Sequence, residues 1–388
     1  MGTLFIFLPL KRAQSLSMKN FKPRLIALMN SYSQGKSGGD MVFIELAKRM
    51  ENYDKVIITS FLGKKLCQEN GLKGKYFTTT KETEFRHVIL TYLKRISKAL
   101  FLKIKAKEGD VYLGTSDFLP DVLPIFWFKF KNRKVKWVQH VFHLIPFSRK
   151  ISFFSQRISF LLIKQIADSV IVDNSLLRDD LIKLGFEASR IFINYPGIDL
   201  DYLKSVKGKG VDGYDAIFMA QLRSSKGIFD LIKIWKLICQ KKPNVKLGVI
   251  GGGVETMVKR MQSLIESEGL KRNIDLLGYL EDDDAFAIIK SSKVFVFPSK
   301  EEGFGLASLE AQALGLPVIA WDLPVYKEVF PRGMIKVKMK NMRRFADEVL
   351  KLLANKKNYQ RLSKAAIDNA SRYDWDQAAK REFQIINS

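Results

Sequence analysis

The sequence predicts an α/β protein built from two Rossmann-like units, one in each half of the chain. Three observations carry this. Residues 24–50 read as an apolar strand, RLIALMN, a polar glycine-bearing loop, and a helix over Asp40–Met50 with apolar residues at Met41, Ile44, Leu46 and Ala47. Residues 216–239 repeat the order with strand AIFMA, a loop ending in Lys226-Gly227, and a helix over Ile228–Cys239. The stretch Phe295–Val329, FVFPSKEEGFGLASLEAQALGLPVIAWDLPVYKEV, then runs strand, glycine loop, helix, strand, helix. Such alternation is the pattern of a parallel sheet covered by helices. At 388 residues the chain has room for two domains of ordinary size.

Composition narrows the class. Hydrophobic residues make up 47% of the chain, enough for a packed core. Two cysteines far apart, Cys67 and Cys239, exclude a disulfide framework or a zinc spacing and favour a reducing, cytoplasmic setting. The net charge is +25, and it is unevenly spread: residues 1–150 hold 28 Lys and Arg against 11 Asp and Glu, the remainder 37 against 29. Nucleic acid, an anionic membrane surface or an acidic substrate could each answer such a charge. No apolar run has the length of a membrane span, and the start, MGTLFIFLPLKR, lacks the positive lead-in of a signal peptide. Residues 1–20 read as an N-terminal extension ahead of a first domain over 21–197.

In the first half, KVIITS (Lys55–Ser60), VYLGTS (Val111–Ser116) and KVKWVQH (Lys134–His140) follow as strands. Residues 84–107 form a basic helical region with Phe85, Ile89, Leu93, Ile96 and Leu100 at helical spacing. Leu123–Trp137 mixes aromatics with cations. These two segments suit either a core helix with a basic turn or a contact with an anionic membrane interface, where aromatics sink in and cations meet headgroups. His140 and His143, two of only three histidines, sit at and just after a strand end, the place that faces the ligand crevice in doubly wound folds. Ile151–Ala167 is an apolar-rich helix, and Asp173-Asn174 read as turn and cap before the next one. The hinge falls near Pro196–Asp201, with a linker over Ser205–Asp215.

In the second half, Lys246–Gly253 is a strand running into three glycines, and Asn273–Leu280 is the next strand and turn. Glu281–Asp284 is acidic but opens a helix, where acids complement the dipole, so no metal site is read there. In the 295–329 stretch, Gly303 and Gly305 shape a loop, Glu302 lies in it, and Glu310 lies inside the helix that follows. The helix mouth between the two acids offers free N–H groups and partial positive charge, a seat for phosphate. The carboxylates can instead accept hydrogen bonds from hydroxyls. A sugar nucleotide offers both phosphate and hydroxyls.

The motif Glu302-x7-Glu310 within PSKEEGFGLASLEAQALGLPVIA, with VFVFPS before it and EV after it, closely resembles the signature of retaining glycosyltransferases of GT-B fold, the large family numbered four, also called glycosyl transferases group 1. The resemblance covers roughly residues 24–388 and is most specific in the second half. It implies two Rossmann-like domains facing across a cleft, an acceptor domain over 21–197 and a nucleotide-sugar domain over 198–372. A C-terminal helix over 373–388 would cross back to the first domain. It implies that Glu302 holds donor-sugar hydroxyls, that Gly303, Phe304, Gly305 and Leu306 support sugar and phosphate, and that Glu310 holds the ribose. Lys226 would grip the diphosphate. Arg223 would assist from a shifted place, because Gln221 stands where the family has arginine. Gly38-Gly39 would face diphosphate and acceptor, the backbone of Gly278, Tyr279 and Leu280 the base, and His140 or His143 the donor sugar, with His140 favoured by its strand-end position. The substrate would be a UDP- or GDP-sugar, with no metal or other cofactor, and the acceptor a glycan or lipid-linked molecule in cell-surface polysaccharide, lipopolysaccharide or glycolipid synthesis. The alternative is a basic nucleic-acid- or membrane-binding Rossmann-like protein without transferase activity. No helix-turn-helix, zinc-finger or RNP-type signature supports the nucleic-acid form of it.

Overall fold

Continuous runs of Val, Ile, Leu and Phe form the strands, and their near-total burial requires helices on both faces. The computed structural model of the protein describes residues 22–31, 37–81, 87–208 and 213–388. The first sheet contains β1 (Arg24–Met29), β2 (Asp54–Thr59), β3 (Lys75–Thr78), β4 (Val111–Gly114), β5 (Lys136–Val141), β6 (Ser169–Val172) and β7 (Ile191–Ile193). The second contains β8 (Ala216–Met219), β9 (Leu247–Ile250), β10 (Ile274–Gly278), β11 (Val294–Phe297), β12 (Val318–Trp321) and β13 (Met334–Val337). Their orders are β3-β2-β1-β4-β5-β6-β7 and β10-β9-β8-β11-β12-β13, parallel throughout. Each order reverses direction once, between β1 and β4 and between β8 and β11. Ligands of open α/β sheets bind beyond the strand ends at such a reversal.

The helix Trp375–Asn387 belongs physically to the first domain. Asp374 caps it, accepting from the N–H groups of Asp376 and Gln377 at 2.9 and 3.1 Å. Trp375, Ala378, Ala379, Ile385 and Ile386 share one core with Leu25, Ala27, Phe43 and Ile44. The outgoing and returning crossings run side by side: Ile198 pairs in parallel with Asp374, and a Cβ on Gly197 would lie 2.3 Å from the Trp375 nitrogen. The hinge is thus two adjacent threads. Of the expected linker, residues 209–212 lie outside the described residues, and Leu200–Ser205 is a short helix.

One helix turns the wrong way round for a core element. Val88–Leu100 buries Thr91, Arg95, Ile96 and Ala99 and exposes Ile89, Leu90 and Leu93. The core-helix reading therefore holds for Ile96 and fails for Ile89 and Leu93, while Phe85 lies outside the described residues. Arg95 decides the orientation, since its buried guanidinium donates from Nη1 to the Asn30 carbonyl at 2.8 Å.

Candidate active site

The two loops at the second domain's reversal are sewn together by their backbones. The chain leaves β8, reaches Lys226, and turns at Gly227 into the helix Ile228–Lys241. Gly227 has φ +74°, and a Cβ there would sit 1.7 Å from the Pro298 carbonyl oxygen, so only glycine permits the approach. The N–H of Lys300 donates to the Ser225 carbonyl at 2.8 Å across the seam. These constraints hold Lys226 Nζ 2.7 Å from Glu302 Oε1, with Glu302 nearly buried and Lys226 half-buried. The β11 loop then ends at Gly305, with φ +100°, which starts the helix Leu306–Ala313.

Leu306, Glu310 and Ala313 lie along the less buried side of that helix. Leu306 faces the first domain, with its Cδ1 3.6 Å from where a Cβ on Gly38 would be. Glu310 therefore shares the cleft side, one turn in from the helix mouth. Gly38 and Gly39 form the first turn of the helix Gly38–Arg49, not a loop as their sequence suggests, and Ser37 caps it. A Cβ on Gly39 would come within 2.9 Å of the Phe142 ring. Arg223 is exposed beside the seam. Gly278, with φ +71°, ends β10, and its carbonyl accepts from the Gly251 N–H at 2.7 Å, so the predicted base segment Gly278–Leu280 adjoins the three-glycine turn. It stands two strands from β8, about 10 Å along the sheet. The Phe304 ring packs edge-on against Tyr373 at 5.4 Å, so its side chain serves the hinge.

The two histidines separate. His140 is buried, and its Nε2 lies 2.6 Å from Glu382 Oε1 on the C-terminal helix. Glu382 also accepts from Asn194 Nδ2 at 2.9 Å. The strand-end preference for His140 is thus corrected: its ring anchors the returning helix. His143 stands at the cleft rim, with Nε2 3.4 Å from Arg149 Nη2. Burial, then the charges of Arg149 and Lys226, hold its pKa below the usual value against an opposing pull from Glu301, which keeps the imidazole neutral at pH 7.

Several cross-domain residues escaped the sequence reading. Arg149 Nη2 pairs with Glu301 Oε1 at 2.7 Å. Asn174 caps the helix Ser175–Lys183, as expected, but its Nδ2 also donates to the Gly303 carbonyl at 3.1 Å. Glu328, seen earlier only as part of the trailing EV, accepts from the Ser175 N–H and hydroxyl and from the Tyr195 hydroxyl. Asp173 is buried opposite Gly303, and burial, with a smaller push from Glu328, raises its pKa to about 8. Tyr326 lies under Gly305, its buried hydroxyl without a hydrogen-bond partner among the described residues and its pKa raised by burial and by Glu302. No local spacing announces the cross-domain roles, since each partner is more than a hundred residues away. The Glu281–Asp284 acids do open the helix Asp282–Ser291, where Asp283 accepts from the Tyr202 hydroxyl.

Two doubly wound domains whose strand ends face one another, with an acid–base pair at a helix mouth in one of them, define a GT-B fold. Solved structures agree on that fold: Anabaena Alr3699/HepE in complex with UDP and glucose matches 94% of this chain and all of its own, with TM-score 0.77 and 17% identity. A sucrose-phosphate synthase from Thermosynechococcus elongatus matches 94% of this chain and 98% of its own, with TM-score 0.74 and 16% identity. Residues 202–369 match the family model of glycosyl transferases group 1. Among curated relatives, the D-inositol 3-phosphate glycosyltransferase of Corynebacterium urealyticum is 25% identical over 253 residues, 58% of this chain and 59% of the relative. The capsular polysaccharide biosynthesis glycosyltransferase CapM of Staphylococcus aureus is 32% identical over 171 residues, 41% of this chain and 42% of the relative. The poly(glycerol-phosphate) alpha-glucosyltransferase of Bacillus subtilis is 23% identical over 202 residues, 50% of this chain and 29% of the relative. The matches thus span less than two thirds of these relatives' length.

Proposed function

We propose that the protein transfers a sugar from a nucleoside-diphosphate sugar to an acceptor hydroxyl with the anomeric configuration retained. The observation that carries this is the Lys226–Glu302 pair at the mouth of the helix Leu306–Ala313, on the β8/β11 reversal and facing the first domain. One group suits phosphate and the other suits hydroxyls, and a rigid seam holds them side by side.

In this reading the diphosphate lies across the helix mouth, and Lys226 and Arg223 balance its charge, a role for which no metal ion is needed. Glu302 accepts hydrogen bonds from the donor-sugar hydroxyls, and Glu310 accepts from the ribose. The base extends along the sheet toward Gly278, Tyr279 and Leu280. Neutral His143 lines the sugar pocket as a hydrogen-bonding group without competing for the phosphate as a cation. Gly38 and Gly39 let the acceptor approach from the first domain. The bond from the anomeric carbon to the phosphate oxygen breaks with its electron pair going to that oxygen. The acceptor oxygen bonds the same carbon on the same face, and its proton passes to the leaving phosphate. The chain contributes positioning, charge and exclusion of water, the last through the cross-domain contacts of Arg149, Asn174 and Glu328.

A thermal-shift screen of UDP-, GDP- and ADP-glucose tests the donor. UDP-glucose comes first, because HepE has been solved with UDP-glucose bound. A ligand at a hundred times its Kd stabilises the fold by about 2.7 kcal/mol. Failure of every nucleoside-diphosphate sugar to raise the melting temperature would sink the reading. Hydrolysis products or glycosides analysed by NMR would then read the anomeric outcome.

A further inference from the structure

The helix Val88–Leu100 is not alone in exposing apolar residues. Lys150–Ile166 buries Phe160 and Ile163 in the core together with Ser155, Gln156 and Ser159, and exposes Ile151, Phe154, Ile158 and Leu161, a single stripe at spacings of three and four. The buried polar groups fix that orientation: Gln156 Nε2 donates to Asp117 Oδ2 at 2.7 Å and to the His143 carbonyl at 2.8 Å, and its Oε1 accepts from the Ile145 N–H at 2.9 Å. Between these two helices, and packed on both, lies Leu119–Lys131. It exposes Trp127 and Phe130, stacked at 6.4 Å with an interplanar angle of 11°. Twelve of the seventeen large hydrophobics exposed among the described residues fall within 88–161, so the apolar surface is one layer of the first domain and not a general feature. A helix of a water-soluble domain buries its apolar face. A contiguous apolar layer left outside marks a surface that is covered in use.

The charge around it says by what. Residues 87–167 carry fifteen Lys and Arg against four acids, and three of those acids, Asp110, Asp117 and Asp121, are buried. Lys131 Nζ lies 4.4 Å from the Trp127 ring centre, and the Arg133 guanidinium lies 5.5 Å from that of Phe130. Aromatic rings with cations beside them match the boundary between acyl chains and anionic headgroups. A second copy of the same face would bring cations against cations. No helix of the described residues is long and apolar enough to cross a membrane.

We propose that the outward faces of Val88–Leu100, Leu119–Lys131 and Lys150–Ile166 dock the protein on an anionic phospholipid bilayer. The third helix begins at the cleft rim, where Arg149 meets Glu301 and Ile151 follows two residues later. Docking therefore brings the cleft mouth to the headgroup layer and selects an acceptor hydroxyl carried on a lipid. That last step rests on the transfer reading above, whereas docking itself does not.

The test is co-sedimentation of the full chain, without donor sugar, with vesicles of phosphatidylcholine alone and of phosphatidylcholine mixed with phosphatidylglycerol, at low and high salt. The expected result is binding to the mixed vesicles, weakened by salt and nearly absent with phosphatidylcholine alone. The double variant Leu93→Asp/Ile158→Asp, changed only at exposed positions, should lower the bound fraction roughly tenfold or more. Its melting temperature and its response to nucleotide sugar should match the parent. Lys131→Glu/Arg133→Glu should weaken binding at low salt and abolish the salt dependence in part. A parent that stays in the supernatant with mixed vesicles at low salt overturns the proposal. So does a concentration-dependent dimer, seen by analytical ultracentrifugation, that the Leu93→Asp/Ile158→Asp pair dissolves, because the face then belongs to a second copy. Vesicle binding without any nucleotide-sugar response would leave docking intact and remove the transfer reading instead.

Discussion

The two sides of the cleft are built by opposite strategies. On the second-domain side, Lys226, Glu302 and Glu310 come from two loop–helix junctions stitched by backbone hydrogen bonds, and glycine conformation fixes their placement. On the first-domain side, Arg149, Asn174 and Ser175 come from two turns and pair across the gap with Glu301, Gly303 and Glu328, with His143 beside Arg149 and Asp173 beside Asn174. One wall is held by contacts within its own domain; the other is held by contacts across the cleft. On the proposed function, charge chemistry falls to the second-domain wall and exclusion of water to the first-domain wall.

The largest effects should follow from breaking the second-domain wall. Glu302→Gln and Lys226→Ala should each lower sugar transfer by about two to three orders of magnitude while leaving the fold intact, measured as turnover with the sugar nucleotide that the thermal-shift screen selects and as melting temperature. On the proposed function, removing metal with a chelator should leave that turnover unchanged, with Lys226 and Arg223 balancing the diphosphate. His140→Ala should act on stability, by about 3 kcal/mol, because buried Glu382 keeps Asn194 but loses the partner of its other oxygen. His143→Ala should leave denaturant melts unchanged and lower turnover by roughly tenfold, the worth of one hydrogen bond. Equal stability of the two histidine variants would erase the distinction drawn between them.

Asp173 gives a pH handle on the first-domain wall. Its folded pKa, about 8, lies above that of an unfolded aspartate. Its stability contribution is therefore complete below the unfolded value and lost as pH rises through about 8. Asp173→Asn should thus gain melting temperature over the parent progressively from pH 4 to pH 9, and a constant difference would contradict the buried-carboxyl account. The smallest effect is expected for Asn174→Ala: about 1 kcal/mol from the lost helix cap. Turnover should fall further than this stability loss explains, through release of the Gly303 carbonyl.

The sequence shows the second wall far more clearly than the first. A strand, a glycine loop and a helix lie within one contiguous stretch, so the spacing of Glu302 and Glu310 is itself the geometry. The first wall depends on contacts such as Asn194–Glu382 and Arg149–Glu301, which no local pattern encodes. Central strands announced themselves as apolar runs. The strands not anticipated, β3 (KYFT), β7 (IFI) and β13 (MIKV), are edges, short and half-exposed, with no such run to read. The helix Val88–Leu100 misleads for a different reason: helical spacing shows that apolar residues share a face, but not which way the face points. Buried Arg95 settles that, and an arginine is the last residue a pattern would send inward.

The returning helix also sets an order of events at the ribosome. The amino-terminal domain has all seven of its strands once Ile193 has emerged, yet its core still lacks Trp375, Ala378 and Ile385. Roughly 180 more residues must be made first, about 10–40 s at usual rates of synthesis. The nascent first half waits through that interval with a hydrophobic flank unfilled, while the second half can fold completely. A chaperone that shields the flank during elongation would meet this chain early and release it late.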